Sequence, residues 1–287
     1  MAIGIPSLFF DFVSLHMSYS INIHKYEATG NSFVILDHRS LKIFDDKMHD
    51  AGILKRLCSS SEGLDTDGII LLEKSEKADF YMRYINRDGK EVEMCGNGLR
   101  AITHFAHFEA GFEGQKSFKV ETYNGVYFSW IEEDDTVRIQ MTELYDVDKE
   151  DLSLFDNFSY GYYLNTGVPH CVFEVESLKD FDVYTWGRKI RYDSLFPDGC
   201  NINFYQKVGR GTIYLRTYER GVERETLSCG TGATAAALAL STRYGWKEKV
   251  DVQMEGGPLE VYFDEDHKKV FLCGKVEKIL SCSYERK

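Results

Sequence analysis

Two stretches decide the fold: Met94-Cys95-Gly96-Asn97-Gly98 followed by LRAITHFAHFEAG, and Ser228-Cys229-Gly230-Thr231-Gly232 followed by ATAAALALSTRYG. Each is Cys-Gly-x-Gly, then a run with helical character, then a glycine, Gly111 or Gly245, placed to cap the helix C-terminus. The correspondence continues upstream. Arg83-Tyr84-Ile85-Asn86 precedes Cys95 much as Arg216-Thr217-Tyr218-Glu219 precedes Cys229. Asp67-Gly68 leads into the apolar run IILLE, and Asp198-Gly199 into CNINFY. Gly30-Asn31-Ser32-Phe33 and Gly167-Val168-Pro169-His170 each begin an apolar run further back. Downstream, KVETYNGVYF (119–128) matches VDVQMEGGPLEVYF (250–263), and both read as hairpins turning at glycine. Matches in one order at nearly equal offsets indicate an internal duplication.

The expected architecture is α+β, with two homologous, pseudo-symmetric domains. In each, a curled, mostly antiparallel and barrel-like sheet surrounds a central helix. The run Ala233 to Leu240 is nearly all Ala and Leu, and a helix that is apolar on every side is buried on every side. Leu99, Ile102, Phe105, Ala106 and Phe108 make the first helix largely buried as well. Residues 1–17 read as an N-terminal extension, 18–142 as the first half and 143–275 as the second. The polar, acidic segment ELYDVDKEDLSLFDNFSY (143–160) is the expected connection.

The chain has 287 residues, enough for two domains, and a formal net charge of −12. That charge argues against nucleic acid as a partner and against anionic membrane surfaces. A small zwitterionic substrate remains compatible with it. Seven cysteines at wide spacing, with no CxxC pair, fit neither a disulfide framework nor a zinc site. The apolar Leu8-Phe9-Phe10 has no basic segment before it and is interrupted by Asp11 and His16, so it does not read as a signal peptide. No stretch reaches 18 apolar residues, and the expected location is cytoplasmic.

The first residues of a helix leave backbone N–H groups without partners, and these attract an anion. A cysteine just before such a helix is expected to have a lowered pKa and thiolate character. The flanking glycines let a ligand carboxylate approach the backbone closely. If duplicated halves present two such cysteines to one substrate, one thiolate can remove an α-proton and one thiol can return a proton to the opposite face. The candidates also admit plainer readings. Cys95 and Cys229 suit structural thiols at glycine turns. His170 suits a satisfied core or surface histidine, and Glu219-Arg220 a solvated pair at a strand end. Asn31, Asn86 and Asn201 suit tight turns. The duplication favours chemistry for the two cysteines.

Met94-Cys95-Gly96-Asn97-Gly98-Leu99-Arg100 resembles the first cysteine motif of the diaminopimelate epimerases. Glu219-Arg220-Gly221-Val222, followed by Glu225-Thr226-Leu227-Ser228-Cys229-Gly230-Thr231-Gly232, resembles the second. Gly30-Asn31-Ser32-Phe33, Asn86 with Asp88-Gly89, and Gly199-Cys200-Asn201-Ile202-Asn203-Phe204 resemble further motifs of that family, in its order. The resemblance spans roughly residues 21–280. It implies interconversion of LL- and meso-diaminopimelate in lysine and peptidoglycan precursor biosynthesis, with no cofactor and no metal. It implies Cys95 and Cys229 as the acid/base pair. Asn31, Asn86, Asn201 and Glu219-Arg220 would hold the distal amino and carboxyl groups, and Gly96-Asn97 and Gly230-Thr231 the reacting carboxylate. His170 and Glu219 would tune the cysteines. A last strand, at about 276–287, would return to the first domain, and a homodimer is common in the family.

The chain also departs from the family pattern. Val168 replaces an asparagine in Gly-Asn-Pro-His, Gly68 stands where some members have glutamine, and Gly274-Lys275-Val276 replaces Gly-Pro-Ala. The nearest alternative is a racemase or epimerase of the same fold acting on proline, hydroxyproline or histidine. Glu219-Arg220 favours a substrate with a second charged end. Isomerases of phenazine biosynthesis share the fold without the role of the cysteine pair, and a third alternative is a binding or redox protein in which the two thiols form a reversible disulfide.

Overall fold

A computed structural model of the chain describes residues 19–40, 58–61, 63–92, 94–141, 150–151, 158, 160–264 and 269–286. The expected N-terminal extension and most of the expected connection at 143–160 lie outside these residues. The chain divides into two compact units, Met1–Val137 with Val276–Lys287, and Arg138–Lys275.

In chain order the elements begin with strands β1 (Tyr19–Ala28), β2 (Asn31–Asp37), β3 (Gly68–Glu73), β4 (Phe80–Asn86) and β5 (Glu91–Val92). Helix α1 (Gly96–Glu109) follows, then β6 (Ser117–Thr122), β7 (Gly125–Ile131), β8 (Val137–Gln140), β9 (Glu150–Asp151), β10 (Gly161–Asn165) and β11 (Pro169–Glu174). Helix α2 (Val183–Arg191) leads to β12 (Asn201–Gly209), β13 (Thr212–Glu219) and β14 (Arg224–Thr226). Helix α3 (Gly230–Tyr244) leads to β15 (Lys249–Met254), β16 (Gly257–Phe263), β17 (Val270–Gly274) and β18 (Glu277–Arg286).

The duplication is visible in the strand pairing. In the first unit β1 and β2 are antiparallel, β2 and β3 parallel, and β3 and β4 antiparallel. Strand β4 carries the short antiparallel β5 and runs parallel to β6, which forms a hairpin with β7. The second unit repeats this order with β10, β11, β12, β13, β14, β15 and β16 in the same relations. The two expected hairpins turn at Thr122↔Gly125 and Met254↔Gly257. The units differ at their margins: β18 lies antiparallel to β1, whereas β9 flanks β10 and β17 flanks β16.

The strands of each unit pair in a mixed, mostly antiparallel pattern and curl around that unit's helix without closing into a barrel. Helix α1 touches β1, β2, β3, β4 and β7, and α3 touches β10, β11, β12, β15, β16 and β17. Strand β3 is buried along Gly68–Leu72, the near-continuous apolar run expected of a strand covered on both faces. Leu99, Ile102 and Phe105 of α1 are fully buried, and each such side chain contributes about 1.5–3 kcal/mol of apolar transfer. In α3 every residue from Gly232 to Ser241 is buried, as its Ala/Leu composition requires.

Two local expectations change. Helix α1 is capped by Ala110 (φ −116°), one residue before Gly111 (φ 80°), whereas α3 ends on Gly245 in the left-handed region (φ 68°). Helix α2 was not expected. Asp182 caps it by accepting from the Thr185 N–H at 2.9 Å, and its Val183 and Ile190 join the core around Phe204 and Tyr218. Among the described residues no helix is long and apolar enough to cross a membrane.

Candidate active site

In the first unit Cys95 occupies the N-cap of α1 in an extended conformation (φ −133°, ψ 119°). Its sulfur accepts from the Gly98 N–H at 3.5 Å, and its carbonyl accepts from the Leu99 N–H at 2.8 Å. A thiol at this position faces the unpaired donors of the first helical turn. Gly98 admits this approach: a Cβ there would lie 3.1 Å from Ile70 Cδ1 and Met82 Cε and 3.5 Å from Cys95 Cβ.

Beside Cys95 runs a directed chain of hydrogen bonds. Arg100, fully buried, donates through Nη2 to Asn97 Oδ1 at 2.6 Å and to Thr29 Oγ1 at 2.8 Å. Asn97 Nδ2 donates to Asn31 Oδ1 at 2.7 Å, and Asn31 Nδ2 donates to Asp67 Oδ2 at 3.1 Å. Asp67 also accepts from the Ser32 N–H at 2.9 Å. A guanidinium can only donate and a carboxylate can only accept, so the two ends set the orientation of both amides. The second N–H of the Asn31 amide lies outside this chain. Sequence reasoning selected Asn31 and Asn97 but missed Arg100 and Asp67. The available signal was an arginine inside an otherwise apolar helical run.

Asn86 performs the turn role that its sequence context also allowed. Its Oδ1 accepts from the Arg87 N–H at 3.0 Å, and its carbonyl accepts from the Gly89 N–H at 2.8 Å. It lines an open hollow with Ser59, Arg87 and Asp88. The Tyr84 hydroxyl donates to Asn86 Oδ1 at 3.4 Å. Burial pushes the Tyr84 phenol well above its ordinary value, and Cys95 and Asp67 add to the shift. The Tyr84 ring also accounts for Gly68, because a Cβ at that position would lie 2.5 Å from Tyr84 Cε2 and from Ile85 O.

In the second unit Cys229 is the N-cap of α3 (φ −141°, ψ 105°), but its sulfur makes no capping bond to the helix backbone. Its Sγ lies 3.4 Å from Thr231 Oγ1. The Thr231 carbonyl accepts from the Thr166 hydroxyl at 3.3 Å, which ties the 166–168 turn to the cysteine loop. Gly230 packs on Leu272, whose Cδ2 would be 2.9 Å from an added Cβ.

His170 and Asn201 are register neighbours in the parallel pair β11–β12. Asn201 Oδ1 accepts from the Arg220 N–H at 2.8 Å, and the Arg220 guanidinium donates to the carbonyls of Asp198 and Gly199 at 3.1 and 3.3 Å. Burial raises the Glu219 carboxyl above its usual range, partly opposed by a hydrogen bond from Thr226. His170 is pushed down to about 3, first by burial and then by the Arg220 charge. Sequence reasoning missed Asn203 and Thr217, both fully buried: the Thr217 hydroxyl donates to Asn203 Oδ1, and Asn203 Nδ2 faces His170 Nδ1.

All seven cysteines are free thiols. Cys171 and Cys200 are buried with their sulfurs 3.3 Å apart, and burial raises the Cys171 thiol. Among the described residues no group of three or more His, Cys, Asp or Glu side chains could hold a metal ion.

Comparison with known proteins identifies the family. The family model described as diaminopimelate epimerase matches residues 23–147 and 162–279. The diaminopimelate epimerase of Flavobacterium psychrophilum is 38% identical over 262 residues, which cover 90% of this chain and 97% of that protein. That of Aquifex aeolicus is 39% identical over 266 residues, covering 89% and 94%. Among solved structures, the fold is similar to a Bacillus anthracis phenazine biosynthesis protein of the PhzF family (TM-score 0.67, 17% identity, 94% of this chain and 99% of that one). It is also similar to a probable proline racemase from Agrobacterium radiobacter (TM-score 0.62, 16% identity, 91% and 92%). These structural likenesses speak for the fold alone, whereas the sequence match runs through both halves and both cysteine turns: the chain belongs to the diaminopimelate epimerase family.

Proposed function

We propose that the protein interconverts LL- and meso-diaminopimelate without an organic cofactor, using Cys95 and Cys229 as the acid/base pair. One observation carries this reading: two cysteines occupy the same position, the N-cap of a buried helix, in two units with the same strand order. The α-proton of an amino acid is only weakly acidic. Its removal requires a base in contact with it and donors directed at the carboxylate where negative charge accumulates. In the proposed reaction one thiolate takes the proton and becomes a thiol. The electron pair left on carbon delocalises into the carboxylate. The other thiol then delivers its proton to the opposite face and becomes the thiolate. The stereocentre is inverted, and the two sulfurs have exchanged protonation states.

In this reading, Gly96-Asn97 and Gly230-Thr231 supply donors to the reacting carboxylate, because helix N-termini favour anions. Asn31, Asn86, Asn201 and Glu219-Arg220 hold the distal amino and carboxyl groups. Asn165 or Thr166, the latter bonded to the Thr231 loop, takes over from the asparagine that Val168 replaces. His170 and Glu219 set the local field around the thiols. A homodimer and a cytoplasmic location complete the proposal.

The test is α-proton exchange in deuterated water with LL-diaminopimelate. Wild type should incorporate deuterium and accumulate the meso isomer, and Cys95→Ala and Cys229→Ala should each lose interconversion. Exchange of proline or histidine, without exchange of diaminopimelate, would reject the substrate. Full interconversion by both alanine variants would reject the mechanism.

A further inference from the structure

The hydrogen bonds around His170 determine which of its nitrogens carries the proton. Asn203 places Nδ2 2.9 Å from the Cys171 carbonyl and 3.0 Å from His170 Nδ1, while its Oδ1 accepts from the Thr217 hydroxyl at 2.9 Å. A backbone carbonyl can only accept, so the Asn203 atom facing Cys171 is the nitrogen. The second N–H of that amide points at His170 Nδ1, which must therefore offer a lone pair. A neutral imidazole has one accepting nitrogen and one N–H, so the proton resides on Nε2. A second proton at Nδ1 would set two N–H groups head to head. Burial and the Arg220 charge press the ring the same way, toward the uncharged form.

Nε2 is buried and takes no hydrogen-bond partner among the described residues. A buried donor left without an acceptor is costly, and a ligand acceptor would recover that cost. The residues that hold the Nδ1 side of the ring adjoin the cysteine turn: Asn203 Oδ1, Thr217 Oγ1 and Cys229 Sγ all lie within 3.3 Å of the point where a Cβ on Gly232 would sit.

We infer that His170 is an uncharged Nε2–H donor for a carboxylate oxygen of the substrate, and that Asn203, oriented by the Cys171 carbonyl and Thr217, is the positioning residue that sets its tautomer. This rests on the epimerase reading and deepens it. A neutral imidazole N–H stabilises developing negative charge yet does not surrender its proton, so proton transfer stays with the two sulfurs. An imidazolium would instead compete as an acid.

Nitrogen NMR of the full chain labelled at histidine tests the inference, with the His170 signals identified by their loss in His170→Gln. Wild type should show a pyrrole-type Nε2 and a pyridine-type Nδ1 through neutral pH. The Nε2–H resonance should move when meso-diaminopimelate is added. Asn203→Asp replaces the donor with an acceptor and should shift the proton to Nδ1. It should lower kcat for α-proton exchange by about 10²-fold with a much smaller change in KM. In Thr217→Val the Cys171 carbonyl still orients the amide, so the wild-type tautomer should persist. A wild-type ring protonated at Nδ1, or charged, overturns the inference even if Asn203→Asp fails to fold. So does an Nε2–H resonance that stays unmoved while the enzyme turns over diaminopimelate. Failure of the epimerase reading looks different: no exchange of diaminopimelate, with wild type still in the Nε2–H form. The substrate half of the inference then falls and the tautomer half stands.

Discussion

The two cysteine turns share a backbone and differ in what surrounds it. At Cys95 the sulfur accepts a helical N–H, and the neighbouring side chains form a charged, directed chain from Arg100 to Asp67. At Cys229 the sulfur makes no such capping bond, and the neighbouring chain from Thr217 through Asn203 to His170 is uncharged. Duplication thus preserved the position of the thiol while the polar support diverged. The first turn is held by a buried cation, and the second by neutral groups packed so closely that an added methyl has no room.

The largest expected effect tests whether the two sulfurs are equivalent partners. Cys95→Ala and Cys229→Ala should each reduce interconversion by about 10²–10⁴-fold, the usual contribution of a general acid or base, as measured by chiral chromatography of the products. A large loss in one variant and near-normal turnover in the other would mean that a single cysteine suffices.

The glycines at the third helical position should separate the turns next. Gly232→Ala sets a Cβ 2.3 Å from Asn203 Oδ1, an atom fixed in a buried network. Overpacking of this kind costs about 1–3 kcal/mol, and the variant should also lose activity. Gly98→Ala meets the flexible ends of Ile70 and Met82 at 3.1 Å and Cys95 Cβ at an ordinary 3.5 Å. The helix preference for alanine over glycine, about 1 kcal/mol, should offset that contact. Urea midpoints of the pair would show the asymmetry, and equal losses would remove the distinction.

The charged support should be costly to delete. Arg100→Met leaves the acceptors of Asn97 and Thr29 without their cation. With about 1.5–3 kcal/mol for a hydrogen bond to a charged group, a loss of roughly 2–4 kcal/mol is expected, together with a raised KM as the Asn97–Asn31 pair loses its orientation. Unchanged affinity for substrate would confine Arg100 to stability.

Acid should act on both units. His170 is depressed to about 3, and His104 of the first unit to about 4 mainly by burial. Unfolded histidine binds its proton near pH 6.5, so between that pH and these values the unfolded state holds more protons. Stability therefore falls as pH falls through this window. His170→Gln should flatten part of the slope in denaturant titrations and leave the share owed to His104.

The smallest effect concerns the helix ends. Gly245→Ala forces a Cβ into the left-handed region with no neighbour within 4 Å, so the expected cost is about 1 kcal/mol from backbone strain alone. Ala110→Gly, at a cap with negative φ, removes no comparable strain and should bring no gain in melting temperature.

The duplicated order of elements was legible because hydrophobic periodicity and glycine turns are local signals. The Cys-Gly-x-Gly turns, both buried helices and both glycine hairpins were read from such signals. The supporting networks were not legible, because they depend on register between distant strands. Asn203 meets His170 only because β11 and β12 run parallel with His170 beside Asn201, and no local pattern encodes that pairing. Asp67 reaches Asn31 across the parallel pair β2–β3 for the same reason. Helix α2 escaped notice because its nine residues are mostly polar or aromatic and only three of them are buried.

The pairing of β18 with β1 has a consequence for assembly. The second unit is contiguous in the chain, whereas the first borrows its marginal strand from residues 277–286. Closing a loop of that length is entropically slow, and a chain emerging from the ribosome presents β1 long before its partner exists. The first unit therefore carries an unzipped flank through synthesis, and the second does not. Pulse-labelled hydrogen exchange during refolding should find amides of β1 acquiring protection after those of β12 and β13; simultaneous protection would show that the distant strand docks without delay.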